Sequence, residues 1–192
     1  MFVLGYTISI NYPALPFDKK TIINTLNPHS YCVAKKDAEF REALKASDLL
    51  IPDGTGIVWA ARVLRGEKIE RIAGADMHQY LLNQAQKHGL KVFYMGASEE
   101  TLAKIEERIQ NEYPAIKCRS YSPPFKPAFS EEDNRKMQEA INAFQPDILF
   151  VGMTAPKQEK WVHQNKEHLQ VQVICSIGAV FDFYAGTIQR PG

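Results

Sequence analysis

The sequence predicts an α/β fold: a mostly parallel sheet with helices on both faces, in a single domain over residues 1–192. Three observations carry this. Four apolar runs of strand length end in glycine-containing turns, at Asp53-Gly54, Met95-Gly96, Val151-Gly152 and Ile177-Gly178. Segments with apolar residues at helical spacing separate them at regular distance. No repeat, low-complexity tract or linker divides the 192 residues, a length that suits one core. Strands alternating with helices make the doubly wound, Rossmann-like pattern.

Taken in order, residues 2–10 alternate like a short strand, and 11–18, with Pro13 and Pro16, form an irregular connector. Residues 21–26 are a β-rich run that stops at a turn signal, Asn27-Pro28-His29. A helix is expected over 37–46, with Phe40, Ala43 and Leu44 on one face and Ser47-Asp48 stopping it. The strand 49–53 hands over to a helix from Ile57 that Gly66 closes. Asp76 is placed as the cap of the next helix, which carries Met77, Leu81, Leu82 and Ala85 and ends at Gly89. After the strand 91–96, Ser98 caps a helix with Leu102, Ile105, Ile109 and Tyr113 at helical spacing. Residues 116–121 alternate as a strand. Residues 122–127 (Ser-Pro-Pro-Phe-Lys-Pro) are a loop expected to border the pocket and to move. Ser130 to Asp133 resembles a capping box for a helix through Met137, Ala140, Ile141 and Phe144. The strand 147–152 follows, then a helix begun by Met153-Thr154-Ala155-Pro156 with Pro156 suited to its first position, and the last strand, 171–178.

Composition narrows the function. Hydrophobic residues make up 45% and charged residues 23%, the values of an ordinary globular chain. A net charge of +1 gives no global case for nucleic acid as a partner. The three cysteines, Cys32, Cys118 and Cys175, form no C-x-x-C pair and are expected to be buried in a reducing compartment. No apolar run reaches membrane-spanning length, and the N-terminus lacks a basic signal region, so a cytoplasmic location is expected.

In a parallel sheet, ligands bind beyond the carboxyl ends of the strands. That edge collects Thr25, Asn27, Asp53, Thr55, Thr154, Lys157, Gln158, Glu159 and Asp182, with glycine turns, among them Gly96 and Gly178, that let a phosphate or diphosphate approach the backbone. Asp53 reads equally well as a helix cap and as a catalytic carboxylate. Arg71 is either a surface ion-pair partner or a bidentate clamp on a diphosphate. A dinucleotide fingerprint fits poorly, since Gly54-Thr55-Gly56 lacks its third glycine, and no Walker phosphate loop is present. No metal-ligand spacing, Ser-His-Asp or Cys-His motif is legible. Most histidines are expected on the surface, with His29 near the active edge.

Five stretches together resemble the WecG/TagA/CpsF family of bacterial glycosyltransferases. They are Thr-Leu-Asn-Pro-His (25–29), Ile-Pro-Asp-Gly-Thr-Gly-Ile-Val (51–58), Arg-Ile-Ala-Gly-Ala-Asp (71–76), Val-Gly-Met-Thr-Ala-Pro-Lys-Gln-Glu-Lys-Trp (151–161) and Ile-Gly-Ala-Val-Phe-Asp-Phe-Tyr-Ala-Gly (177–186). The resemblance implies inverting, metal-independent transfer of a sugar, N-acetylmannosamine or a relative, from a UDP-sugar to a polyprenyl-diphosphate-linked acceptor, without a cofactor, for cell-surface polysaccharide or teichoic acid. By position, it makes Asp53 the catalytic base and Thr25 its companion hydroxyl. Arg71 and Gln158 match residues that hold diphosphate or sugar, and Asp182 falls in the segment for the nucleotide base. The family also carries a longer helix before the Thr-x-Asn strand, where only residues 11–20 intervene here. Its basic, amphipathic tail beyond Arg190-Pro191-Gly192 docks on the inner face of the cell membrane, so the tail-less chain is expected to be incomplete. A homo-oligomer is compatible with the family. The alternatives are a non-catalytic nucleotide-sugar-binding module and, further off, an NAD(P)-dependent oxidoreductase.

Overall fold

A computed structural model describes residues 1–14 and 16–188 of the 192. Six parallel strands form one sheet: β3 (Thr21–Leu26), β4 (Leu49–Pro52), β5 (Lys91–Gly96), β6 (Lys117–Tyr121), β7 (Ile148–Gly152) and β8 (Val173–Ser176). Their order across the sheet is β4-β3-β8-β7-β5-β6. The inner strands β3, β7 and β8 are buried along their whole length; β7 is an unbroken apolar run, while β3 and β8 also bury the polar Thr21, Asn24, Thr25 and Ser176.

Eight α-helices pack on this sheet: α1 (Pro28–Ala34), α2 (Ala38–Lys45), α3 (Thr55–Arg65), α4 (Gly74–His88), α5 (Glu99–Glu112), α6 (Glu131–Phe144), α7 (Lys157–Asn165) and α8 (Val180–Ala185). On one face, Met77 and Leu81 of α4, Ile105 and Ile109 of α5 and Phe181 of α8 meet Ile23, Ile51, Tyr94 and Phe150. On the other, Met137 and Ile141 of α6 and Trp161 and Val162 of α7 meet Ile22, Phe93, Leu149 and Ile174. The alternation of odd and even strand residues between these two clusters is the period of a pleated strand. Helices therefore cover both faces, as expected from the sequence.

Several local readings are corrected. Residues 2–10 are not one strand but an antiparallel hairpin, β1 (Phe2–Val3) and β2 (Tyr6–Thr7), turned by Leu4 and Gly5 at φ 56° and 83°. Positive φ at both central residues is the turn that matches strand twist. Val3, Tyr6 and Ile8 then pack with Phe40, Leu44 and Ile57. Asn27-Pro28 starts a helix instead of a turn: the Asn27 carbonyl Oδ1 accepts from Ser30 N at 2.8 Å, and Pro28 occupies the first turn. Asp76 is not the cap of α4. The cap position is Ala73, and Asp76 lies inside the first turn, where it accepts from Ala73 N at 2.9 Å. Pro156 sits at the cap of α7, one residue before the helix. Of the cysteines only Cys175 is buried; Cys32 is exposed. Among the described residues, no helix is long and apolar enough to cross a membrane. The expected tail would leave from Arg190-Pro191-Gly192, outside the described residues.

His78 is the histidine the core keeps. It is 3% exposed, its Nε2 lies 2.7 Å from the Tyr94 hydroxyl, and its ring meets Phe150 and Tyr184 edge-on. Burial, helped by Arg108, pushes its pKa down to about 3, so it is neutral packing.

Candidate active site

The carboxyl ends of β3, β4, β7 and β8 and the start of α5 surround a cleft of about 1230 Å³. Its β3–β4 wall is built by two strand-to-helix turns that lie against each other. Thr25 is paired with Ile51 across the parallel ladder, and Asp53 N donates to Leu26 O at 2.9 Å, so Asp53 stands just beyond Thr25. Gly54 and Gly56 make the contact between the turns possible. Gly54 has φ +100°, and a Cβ on Gly56 would stand 2.5 Å from Pro28 Cγ. The N-cap position of α3 is Gly54, not Asp53. Thr25, Asn27 and Asp53 all line the cleft.

The opposite wall is the β7–α7 and β8–α8 region. Thr154, Lys157, Gln158, Glu159, Gly178 and Asp182 line it. Gln158 is 3% exposed and its amide is spent inside the protein. Its Oε1 accepts from Met153 N at 3.2 Å and from Gly178 N at 3.1 Å, tying the turn after β7 to the turn after β8. Its Nε2 donates to Glu159 Oε1 at 2.8 Å. Burial pushes the Glu159 carboxyl up, against the opposing pull of Gln158 and a backbone amide. Lys157 donates from Nζ to Lys126 O at 2.5 Å and stands 3.8 Å from the centre of the Phe129 ring. Burial first, with Lys126 also acting, lowers its pKa, and Asp133 opposes.

The loop after β6 roofs the third side. Ser122, Pro123, Pro124 and Phe125 line the cleft, and Phe125 is fully exposed. The loop is pinned at each end, by Ser122 Oγ donating to Ala97 O at 2.8 Å and by the ion pair of Lys126 with Asp133. Two stiff prolines thus hold an exposed aromatic ring at the opening.

Four residues expected at this edge stand outside the cleft lining: Arg71, Gly96, His29 and Thr55, the last exposed at the start of α3. Arg71 is exposed and does not line the cleft, although Ala73, Gly74 and Ala75 beside it do. Gly96 does not line it either; its φ is +129°, and a Cβ there would meet Gly152 O at 2.2 Å. Its place is explained by backbone packing between β5 and β7. His29 is exposed and also outside the lining. Sequence reasoning missed α8 and the contribution of Ser98, Glu99, Glu100 and Thr101 at the start of α5. The spacing of Val180, Phe181 and Tyr184 ahead of Gly186, at φ +73°, is the signal for α8.

The charge of the cleft is acidic. Among the described residues lining it, Lys157 is the one Lys or Arg, beside the carboxyls of Asp53, Glu99, Glu100 and Asp182 and the buried Glu159. Positive potential for an anion therefore comes from backbone N–H groups at helix starts, those of α4, α5 and α7 all opening on the cleft.

Comparison with known proteins places the chain among glycosyltransferases. The chain is 31% identical over 169 residues to an N-acetylglucosaminyldiphosphoundecaprenol N-acetyl-beta-D-mannosaminyltransferase of Bacillus subtilis (strain 168), covering 88% of this chain and 64% of that protein. It is 29% identical over 173 residues to the protein of that name from Bacillus spizizenii, covering 90% and 65%. With one from Staphylococcus aureus (strain NCTC 8325 / PS 47) it shares 27% over 168 residues, covering 88% and 64%. The chain thus spans just under two-thirds of the length of these relatives. Residues 12–192 match the Glycosyl transferase WecG/TagA/CpsF family, and the chain belongs to it.

Proposed function

We propose that this chain carries the sugar-transfer site of an inverting glycosyltransferase, with Asp53 as its general base. The observation that carries the reading is the placement of Asp53 and Thr25 on one wall of a cleft whose opposite wall presents Lys157 and Asp182 on turns tied together by Gln158. The donor in this reading is a UDP-sugar, N-acetylmannosamine being the sugar named for the relatives. The acceptor is N-acetylglucosamine on a polyprenyl diphosphate, as their names also describe.

The chemistry assigns the walls. A sugar hydroxyl is far too weak an acid to ionise near neutral pH, so a base within hydrogen-bond reach must take its proton as it attacks. Asp53 accepts that proton, and the acceptor oxygen bonds to the anomeric carbon from one face. The bond to UDP breaks on the other face, and its electron pair leaves on the diphosphate. Thr25 orients the attacking hydroxyl. Helix N-termini and Lys157 stabilise the departing charge in a reaction that uses no metal, with Arg71 as a further candidate. Asp182 and Phe125 suit the base, one by hydrogen bonding and the other by stacking. The protein works peripherally at the inner face of the membrane that holds the acceptor.

Isothermal titration with UDP, UDP-N-acetylmannosamine and NADH tests the reading. Saturable binding of the uridine ligands without NADH is expected; NADH binding without UDP rejects it. A second expectation concerns the loop 122–127. Amide exchange there slows when UDP is bound, as the exposed Phe125 gains a partner. Equal exchange with and without UDP removes the loop from the binding site.

A further inference from the structure

Among the described residues, three buried side-chain atoms have no hydrogen-bond partner: Asn24 Oδ1, Glu159 Oε2 and Ser176 Oγ. Each stands behind a cleft residue in the chain. Asn24 precedes Thr25, Glu159 follows Gln158, and Ser176 lies two before Gly178. The fold brings the three together. β3 and β8 are parallel neighbours, with Ile22 opposite Ile174 and Ile23 opposite Cys175. Extending that register by one residue sets Asn24 beside Ser176. Alternation turns both toward the face of Ile22 and Ile174, which Trp161 and Val162 of α7 cover. Glu159 precedes Val162 by three residues and shares its inward side, at the end of α7 nearest the carboxyl ends of the strands. Register and helix spacing thus direct all three residues toward the first turn of α7.

We propose that Glu159 is a positioning residue for the cleft: one oxygen fixes the amide of Gln158, and the other joins Asn24 and Ser176 around a single internal water. Buried polar groups in native proteins are satisfied by protein or by internal water, and such a water makes about three hydrogen bonds. The inventory closes. A protonated Glu159 donates from Oε2 to the water, and the water donates to Asn24 Oδ1 and Ser176 Oγ. Glu159 Oε1 keeps the bond from Gln158 Nε2, so the Gln158 oxygen faces the amides of Met153 and Gly178. Two turns of the cleft wall are thereby held in register by one carboxylic acid.

The surrounding charges are already engaged. On α7, Lys160 pairs with Asp37 and Glu39 at 2.7 and 3.2 Å, and Lys157 reaches the loop after β6. On α2, Arg41 and Lys45 pair with Glu42. Asn24 and Ser176 contribute no charge from the sheet, and Asn24 Nδ2 donates to Ser47 Oγ at 2.9 Å. Burial pushes the Glu159 carboxyl up from its ordinary value, against the bond from Gln158.

The effect on function rests on the transferase reading; the node itself does not, so the first readout is taken without ligand. Proton–nitrogen spectra of the free protein should show the Met153 and Gly178 amides unmoved in Glu159→Gln and displaced in Glu159→Ala. Raising the pH should move the Gly178 amide of the unmodified protein with an apparent pKa above the ordinary carboxylate range, and Glu159→Gln should abolish that movement. Ser176→Ala, a smaller change, should displace the Gln158 side-chain amide signals and guards against a Glu159→Ala variant that fails to fold. UDP affinity should fall about tenfold in Glu159→Ala and stay within about threefold in Glu159→Gln. Unmoved amides in Glu159→Ala, or a Glu159→Gln variant as displaced as Glu159→Ala, overturns the proposal. If the unmodified protein binds no uridine nucleotide, the transferase reading falls, and the ligand-free spectra still decide the node.

Discussion

Asp53→Asn should lower the transfer rate of the complete protein by roughly 10²–10⁴-fold while leaving UDP affinity within about threefold, the range that a positioned general base supplies. Asparagine keeps the size and planar shape of the side chain but cannot take a proton. Its backbone should not move, because Asp53 N is held by Leu26 O at 2.9 Å and the next residue, Gly54, provides the positive φ of the turn. The loss should therefore fall on kcat. Removing a carboxylate from a cleft with a single lining Lys or Arg relaxes repulsion toward a diphosphate, so binding, if it changes, should tighten slightly. Sugar transfer by the two proteins, with UDP titrations beside it, separates the effects. An unchanged rate removes Asp53 as base. A lost UDP affinity with an unchanged rate at saturation would instead make it a binding residue.

The legible part of this protein follows from its topology. When all six strands run parallel, every strand end falls at one edge, so polar residues just after apolar runs converge whatever the details. That is why Thr25, Asn27, Asp53, Thr154, Lys157, Gln158, Glu159, Gly178 and Asp182 could be named from spacing and all line one cleft. Local signals with two meanings were less readable. Asn27-Pro28 serves a turn and a helix start equally, and the Asn27 side chain decides it by reaching Ser30 N. The six-residue α8 has no side-chain cap and depends on packing against α5 and α4. Gln158 looked like a ligand contact because its partners, Met153 and Gly178, lie 5 and 20 residues away and only the fold brings them close. Glycines carry the deepest ambiguity. A glycine at a strand end serves a ligand or a neighbouring backbone, and the sequence writes both alike.

Gly96 decides between those two meanings by experiment. Gly96→Ala should destabilise the protein by roughly 3–5 kcal/mol, the sum of a strained backbone and an overpacked contact. Its φ of +129° lies where residues with a Cβ rarely go, and the added atom would stand 2.2 Å from Gly152 O and 2.6 Å from Gly152 C. Neither neighbour can yield. Gly96 and Gly152 are paired in the β5–β7 ladder, Ala97 N donates to Gly152 O at 3.2 Å, and the Phe181 ring lies against Gly152 on its other side. Gly89→Ala is the control, since Gly89 has φ +63° with nothing within 4 Å of a new Cβ and should cost about 1 kcal/mol. For a chain of this size each kcal/mol lowers Tm by about 2–4 °C, so thermal melts should separate the two variants by several degrees. Ligand contact predicts the reverse: a Gly96→Ala protein as stable as Gly89→Ala but with weakened UDP binding. A close approach of two backbones, not of a backbone and a phosphate, is what requires glycine at this strand end.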